Sequence, residues 1–466
     1  MIQSINPATG EVLESFKPLS AGEVDRALEA AATAQRAWRE KPVSERVKVL
    51  TAAAGVLRAR VGEFARLITL EMGKPIVEAE AEIEKCAWNC DFYAEQAERF
   101  LAPEPVATNA AASYVVYEPI GVVLAIMPWN YPFWQLFRFV APALAAGNGA
   151  ILKHASNVPQ CALAIEDVLR QAGVPDGLFR TLLVEAAAVD AIIADPRIAA
   201  VTLTGSTEVG SLVAAQAGKY LKKQVLELGG SDPLLVLADA DIAAAASVAA
   251  KSRNLNTGQS CISAKRFIVD ASVADEFADA VCAEVEQLKI DDPLLRSTQI
   301  GPMARDNLRQ NLHSQLERTL AQGGKLRTGG HALNRPGYYF APTVLDHVTP
   351  DMTAFQEETF GPLAAITRVK GEDEAIHLAN QTEFGLGAAV WTRDVERGER
   401  VARRIEAGAV FVNAMVASDP RMPFGGIKRS GYGRELGVHG IREFTNIKTV
   451  WVGPTKAPAK PQALTE

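Results

Sequence analysis

Cysteine is scarce in this chain, and its spacing carries no redox or metal pattern. Cys86, Cys90, Cys161, Cys261 and Cys282 make an odd count of five in 466 residues, with no CxxC among them. A disulfide framework is thereby excluded, and a reducing compartment, the cytoplasm, is expected. The six histidines form no HxxxH or HxH pair, so no metal is expected. No apolar run reaches about 18 residues free of charges and helix breakers, which excludes a membrane partner. There is no long block of one charge, and the net charge of −7 argues against nucleic acid as a partner. The opening "MIQSINPATGEVLESF" has the marks of neither a signal nor a transit peptide. Internal repeats and the GxGxxG dinucleotide fingerprint are also missing.

The composition that remains, 48% hydrophobic and 22% charged, is that of an ordinary globular chain long enough for two or three domains. "LSAGEVDRALEAAATAQRAW" predicts a helix, with Ser20 and Glu23 in capping-box spacing. "VKVLTAAAGVLRARVGEFARLITLEMG" continues in helical period, with Gly73 as a stop. Cys86 and Cys90, one helical turn apart, read as a core pair. After the extended stretch "ASYVVYEPIG", the runs "VVLAIM", "GAILK", "AAVTLT" and "QVLELG" alternate with helical segments. That alternation predicts βαβ units and a parallel sheet buried on both faces. A second set of strands, "PLLVL", "RFIVD" and "AVFVN", predicts a second α/β domain beginning near Gly229-Gly230. The Pro- and Ala-rich tail "GPTKAPAKPQALTE" reads as loose.

Three turns have chemical potential, none decisive alone. "GSTEVG", between a strand and a helix, offers backbone N–H groups to phosphate. "PWNYP" is stiffened by two prolines and aims Asn130, either as an oxyanion donor or as a plain turn former. "QVLELGGSDP" places Glu227 beside Leu226 and Leu228, as a poised base or a solvated charge. Its two glycines suggest that something approaches the backbone closely. Cys261 ends the polar stretch "NTGQSC". It is either a buried small hydrophobe or a nucleophile.

Taken in order, "PWNYP", "TGSTEVG", "LELGG", "NTGQSC", "EETFGP" and "PFGGIKRSGYGRE" resemble the NAD(P)-dependent aldehyde dehydrogenase superfamily over nearly the whole chain. The resemblance implies a Rossmann-like parallel-sheet cofactor domain (residues 1–101 and 122–228) and a second α/β catalytic domain (229–435). Residues 102–121 and 436–466 would form a small β oligomerisation arm and tail, in a homodimer or homotetramer. It implies Cys261 as nucleophile, Asn130 as oxyanion donor and Glu227 as the base that activates water. NAD or NADP would be held by Ile126, Pro128, Trp129, Lys153, Ser156, Gly205, Ser206, Val209, Leu228, Glu358 and Phe360. The segment "VEAAAV" departs from the family's glycine-containing turn, which puts cofactor contacts there in question.

The compact length, "LKHAS" and "AKRFIVD" look most like the short bacterial succinate-semialdehyde dehydrogenases. By that likeness Arg138, eight residues after Asn130, would bind a substrate carboxylate through its planar fork, the alternative being a solvated helix charge. Trp134 and Phe133 would border the substrate tunnel, and Ser418 or Arg421 would supply a further contact. The second arginine common in those enzymes is replaced here by Leu255, with Arg253 two residues earlier. A broad aliphatic or aromatic aldehyde dehydrogenase is the alternative activity. A structural relative that kept the fold is the non-enzyme alternative, and a cysteine hydrolase is a further class that would need a histidine base.

Overall fold

The structure, a computed structural model, describes residues 1–454; the expectation for the Pro- and Ala-rich tail falls almost wholly outside them. A short hairpin, Ile2–Ile5 with Val12–Phe16, leads into helices that cover most of the chain to Leu101. Ser20 caps the helix Ala21–Trp38, its Oγ accepting the Glu23 N–H while the Glu23 carboxylate accepts the Ser20 N–H at 2.8 Å. The helical stretch that follows consists of two helices, Lys48–Ala59 and Val61–Met72, broken at Arg60 with φ −119°. Both halves bury apolar residues at helical spacing, so periodicity passes through the break unnoticed. The Arg60 guanidinium, held by Glu63 and Asp167 and stacked on Phe64, anchors the bend. Gly73 ends the second half in the left-handed region, and Cys86 and Cys90 are buried in the long helix Ile76–Leu101.

Two sheets dominate. The first runs Gly431–Tyr432, Lys223–Glu227, Ile198–Thr204, Val122–Met127, Gly149–His154, Phe179–Thr181. All its strands are parallel except the first pair. The second runs Lys325–Thr328, Thr343–Asp346, Leu363–Val369, Ala264–Asp270, Asp232–Val236, Gly387–Trp391, Ala409–Val412. Only its Lys325–Thr328 edge is antiparallel. The central strands are apolar along their length because helices cover both faces, as parallel sheets require. A separate antiparallel sheet joins Thr445–Val452, Ala112–Pro119 and Glu104–Pro105. No described helix is long and apolar enough to cross a membrane.

The chain changes sheet between Glu227 and Asp232. One stretch departs from the division read in the sequence. Gly431–Tyr432, placed there in the second domain, pairs with Glu227 and Leu226 of the first sheet. Gly431 sits at φ 112°, and a Cβ there would collide with the Leu226 carbonyl, so only glycine lets so short a strand close on the sheet.

Candidate active site

The carboxyl ends of the first sheet face the loop that carries Cys261, which is where an open parallel sheet offers its ligand crevice. Cys261 follows three consecutive left-handed residues, Asn256, Thr257 and Gly258. Such a run is strained for Asn and Thr and persists only when its surroundings over-determine it. Here they do. The Asn256 N–H donates to Glu78 at 2.7 Å, and its side-chain amide donates to the carbonyls of Asn130 and Gln259. The buried Arg253 guanidinium donates to the Gly258, Thr359 and Gly361 carbonyls, so Arg253 braces the loop from behind and faces no substrate space. A Cβ on Gly258 would strike Gly361.

Cys261 lines two cavities at once, one of about 490 Å³ and one of about 250 Å³. Asn130, Pro128, Trp129, Gly205, Ser206, Leu228, Glu358 and Phe360 line the larger. Ser206 caps the helix Thr207–Lys219, whose N-terminus opens on this space. A helix N-terminus of that kind, aimed into a cavity of this size, fits the pyrophosphate of a dinucleotide. Ile126, Lys153, Ser156 and Val209 lie outside the cavity lining, but all stand at or just past the carboxyl ends of the same strands, with Ile126 and Lys153 in register. The segment "VEAAAV" forms a single turn of 3-10 helix, Ala186–Ala188, away from both cavities.

The glycine pair of "LELGGSDP" has its explanation. A Cβ on Gly229 would come within 2.6 Å of the Glu358 carboxylate, and one on Gly230 within 2.8 Å of the Cys261 carbonyl. Glu358 accepts the Gly230 N–H and lies 3.4 Å from Lys265, which also donates to the Cys261 carbonyl at 2.7 Å. His154 ties the "PWNYP" turn to the sheet. Its Nδ1 accepts the Ala155 N–H, so Nε2 carries the proton and donates to the Pro132 carbonyl. Burial pushes that imidazole down to about 4, which keeps it neutral.

Burial likewise pushes the Cys261 thiol up to about 12, against the opposing charges of Lys265 and Arg138. The Asn130 amide donates to the Gln259 carbonyl and accepts from Gln135. Glu227 is buried, and its carboxyl belongs to the lining of neither cavity; it faces Gly425 on the side toward Glu435. Burial and the Glu435 charge push it well above the usual carboxylate range. Sequence order placed Cys261 and Glu227 in one site, whereas the structure turns the Glu227 carboxyl away from the shared wall.

Trp134, Arg138, Ser418 and Leu255 line the smaller cavity with Cys261. Arg138 is no solvated helix charge: it is 3% exposed, ion-paired with Glu435 and stacked on Phe424. Two expectations from the sequence are corrected. Phe133 is packed in the core against Phe64 and Phe137, and Arg421 is an exposed partner of Asp419. Sequence reasoning also missed Glu78, Glu82 and Lys85 of the helix Ile76–Leu101, all of which line this cavity. Their spacing of four and three residues marks one helical face. Without knowledge of what packs there, such a face reads as solvated.

Two largely parallel sheets meet at one strained, thiol-bearing loop, with a dinucleotide-sized cavity on one side and a smaller cavity lined by both cations and carboxylates on the other, the arrangement of a two-domain α/β enzyme. The model of the aldehyde dehydrogenase family matches residues 1–450, and the chain belongs to that family. It is 51% identical to a probable succinate-semialdehyde dehydrogenase (NADP+) of a Synechocystis strain, over 97% of this chain and 99% of the relative. It is 49% identical to the succinate-semialdehyde dehydrogenase (NADP+) 1 of Mycobacterium tuberculosis, over 97% and 99%. The succinic semialdehyde dehydrogenase of Streptococcus pyogenes, solved in complex with NADP+, superposes with a TM-score of 0.95 at 36% identity, over 97% of this chain and 100% of that one.

Proposed function

We propose that the protein oxidises succinate semialdehyde to succinate with NADP as the preferred acceptor and NAD as an alternative. The observation that carries this reading is the position of Cys261 on the wall shared by the two cavities. The thiolate adds to the aldehyde carbon, and the oxyanion is met by the Asn130 amide and the Cys261 N–H. The chemistry that a bound nicotinamide supplies is hydride acceptance, which turns the thiohemiacetal at Cys261 into a thioester. Ser206, Gly205, Glu358 and Phe360 would hold the dinucleotide, with Lys153 and Ser156 toward its adenine ribose. Glu227, in its ionised form, takes a proton from the water that hydrolyses the thioester. Its carboxyl must first turn toward the thiol. The named relatives support the substrate and the cofactor.

Absorbance at 340 nm with succinate semialdehyde, butanal and benzaldehyde, each with NADP+ and NAD+, tests the reading. The highest kcat/KM is expected for succinate semialdehyde with NADP+. Equal rates on all three aldehydes would favour a broad-specificity enzyme, for which the aromatic walls of the smaller cavity speak. Among the described residues the strand Thr445–Val452 is paired on one side only and exposes Ile447 and Trp451, which supports a homodimer or homotetramer built by adding it to a neighbour's sheet. A monomer in light scattering at micromolar concentration would refute the assembly.

A further inference from the structure

Around the smaller cavity the carboxylates are matched in turn. Glu82 pairs with Lys74 and accepts the N–H groups of Phe133 and Trp134. Glu78 accepts the Asn256 N–H, Asp419 pairs with Arg421, and Glu435 takes Arg138. Lys85 is left over. Its Nζ donates to the neutral Ser418 hydroxyl at 2.8 Å and stands 4.4 Å from the centre of the Trp134 ring. Among the described residues no carboxylate lies within 4.0 Å of it. An ammonium so enclosed, with no counter-ion of its own, is costly unless an anion joins it.

Resting on the proposed substrate, we infer that Lys85, with Ser418, is the residue that reads the substrate's distal carboxylate. Arg138, ion-paired with Glu435, lines the same cavity and adds its charge to the pocket. The anion would give Lys85 the counter-ion it lacks in the cavity that Cys261 also lines. The charged and titratable groups facing Lys85 are Glu82 and Cys86 on its own helix, Arg138 on the helix Trp134–Ala145, and Asp419 on the loop after Ser418. Burial first, and the Arg138 charge second, push the ammonium down to about 8. Carboxylate binding by Lys85 therefore weakens as pH rises through that value.

The test compares kcat/KM for succinate semialdehyde and butanal in the wild type, Lys85→Met and Lys85→Arg. Lys85→Met should lower kcat/KM for the semialdehyde about 10- to 100-fold more than for butanal, the range of one charge-assisted hydrogen bond. Lys85→Arg, which keeps the charge, should restore most of the preference. The ratio of the two kcat/KM values cancels the titration of the thiol. In the wild type it should fall above pH 8, and in Lys85→Arg it should stay flat. A wild-type preference that survives Lys85→Met would overturn the role of Lys85 and leave the substrate standing. A wild type with no preference would overturn both. Arg138→Leu is the poorer probe, because it strands Glu435 as an unpaired buried acid.

Discussion

Glu78 accepts the backbone N–H of Asn256 at 2.7 Å and so ties the helix Ile76–Leu101 to the left-handed turn five residues before Cys261. A single side chain thus links the wall of the smaller cavity to the backbone that aims the thiol.

That link should be visible in the pH dependence of stability. Burial pushes Glu78 up to about 7 from the usual 4.5. Between these values the folded state binds more protons than the unfolded one. Stability from this group is therefore full below pH 4.5 and is lost as pH rises through 7. Glu78 is only partly buried and borders the smaller cavity, so the expected loss is discounted to on the order of 2 kcal/mol. Glu78→Gln keeps an acceptor for the Asn256 N–H without a charge. Urea titrations from pH 5 to 8 should show a flatter decline for Glu78→Gln. An unchanged slope would mean that Glu78 does not titrate in this range.

The thiol should be sluggish in the enzyme without cofactor. With its pKa near 12, the thiolate fraction of Cys261 rises about tenfold per pH unit from 7 to 9, and alkylation by iodoacetamide should follow. Peptide mass mapping identifies the labelled cysteine. Cys261→Ala should abolish aldehyde oxidation and leave NADP+ binding, read by tryptophan fluorescence, intact. Full turnover by that variant would rule out covalent thiol chemistry.

Glu227→Gln separates acylation from hydrolysis. The variant should release one equivalent of reduced cofactor per site in a burst and then turn over at least about 100-fold more slowly, in the range of general-base contributions. Stopped-flow absorbance at 340 nm measures both phases. A steady-state rate equal to the wild type would remove Glu227 from the chemistry.

Cofactor choice should rest on Ser156. Lys153 stands at a strand end with Ser156 exposed three residues on, and neither opposes a 2′-phosphate electrostatically. Ser156→Glu should depress kcat/KM with NADP+ selectively and spare NAD+. Equal loss with both cofactors would mean that Ser156 does not face the ribose.

Local chemistry determined much of this protein from the sequence alone. The capping box at Ser20, the stop at Gly73 and the alternation of apolar strands with helices depend on neighbours a few residues apart, and they fold as they read. The order of six short motifs identified the family and brought Asn130, Cys261, Ser206, Glu358 and Phe360 to one cleft. Tertiary structure decided what depends on partners far along the chain. Arg138 lost its free charge to Glu435, nearly 300 residues away, through burial that no spacing announces. Gly431–Tyr432 joined the first sheet because a glycine let it close on Leu226. Lys85 entered the small cavity because the loop carrying Ser418 covers its helical face. A charge on an amphipathic helix reads as solvated until something packs over it, and only the folded chain determines what does.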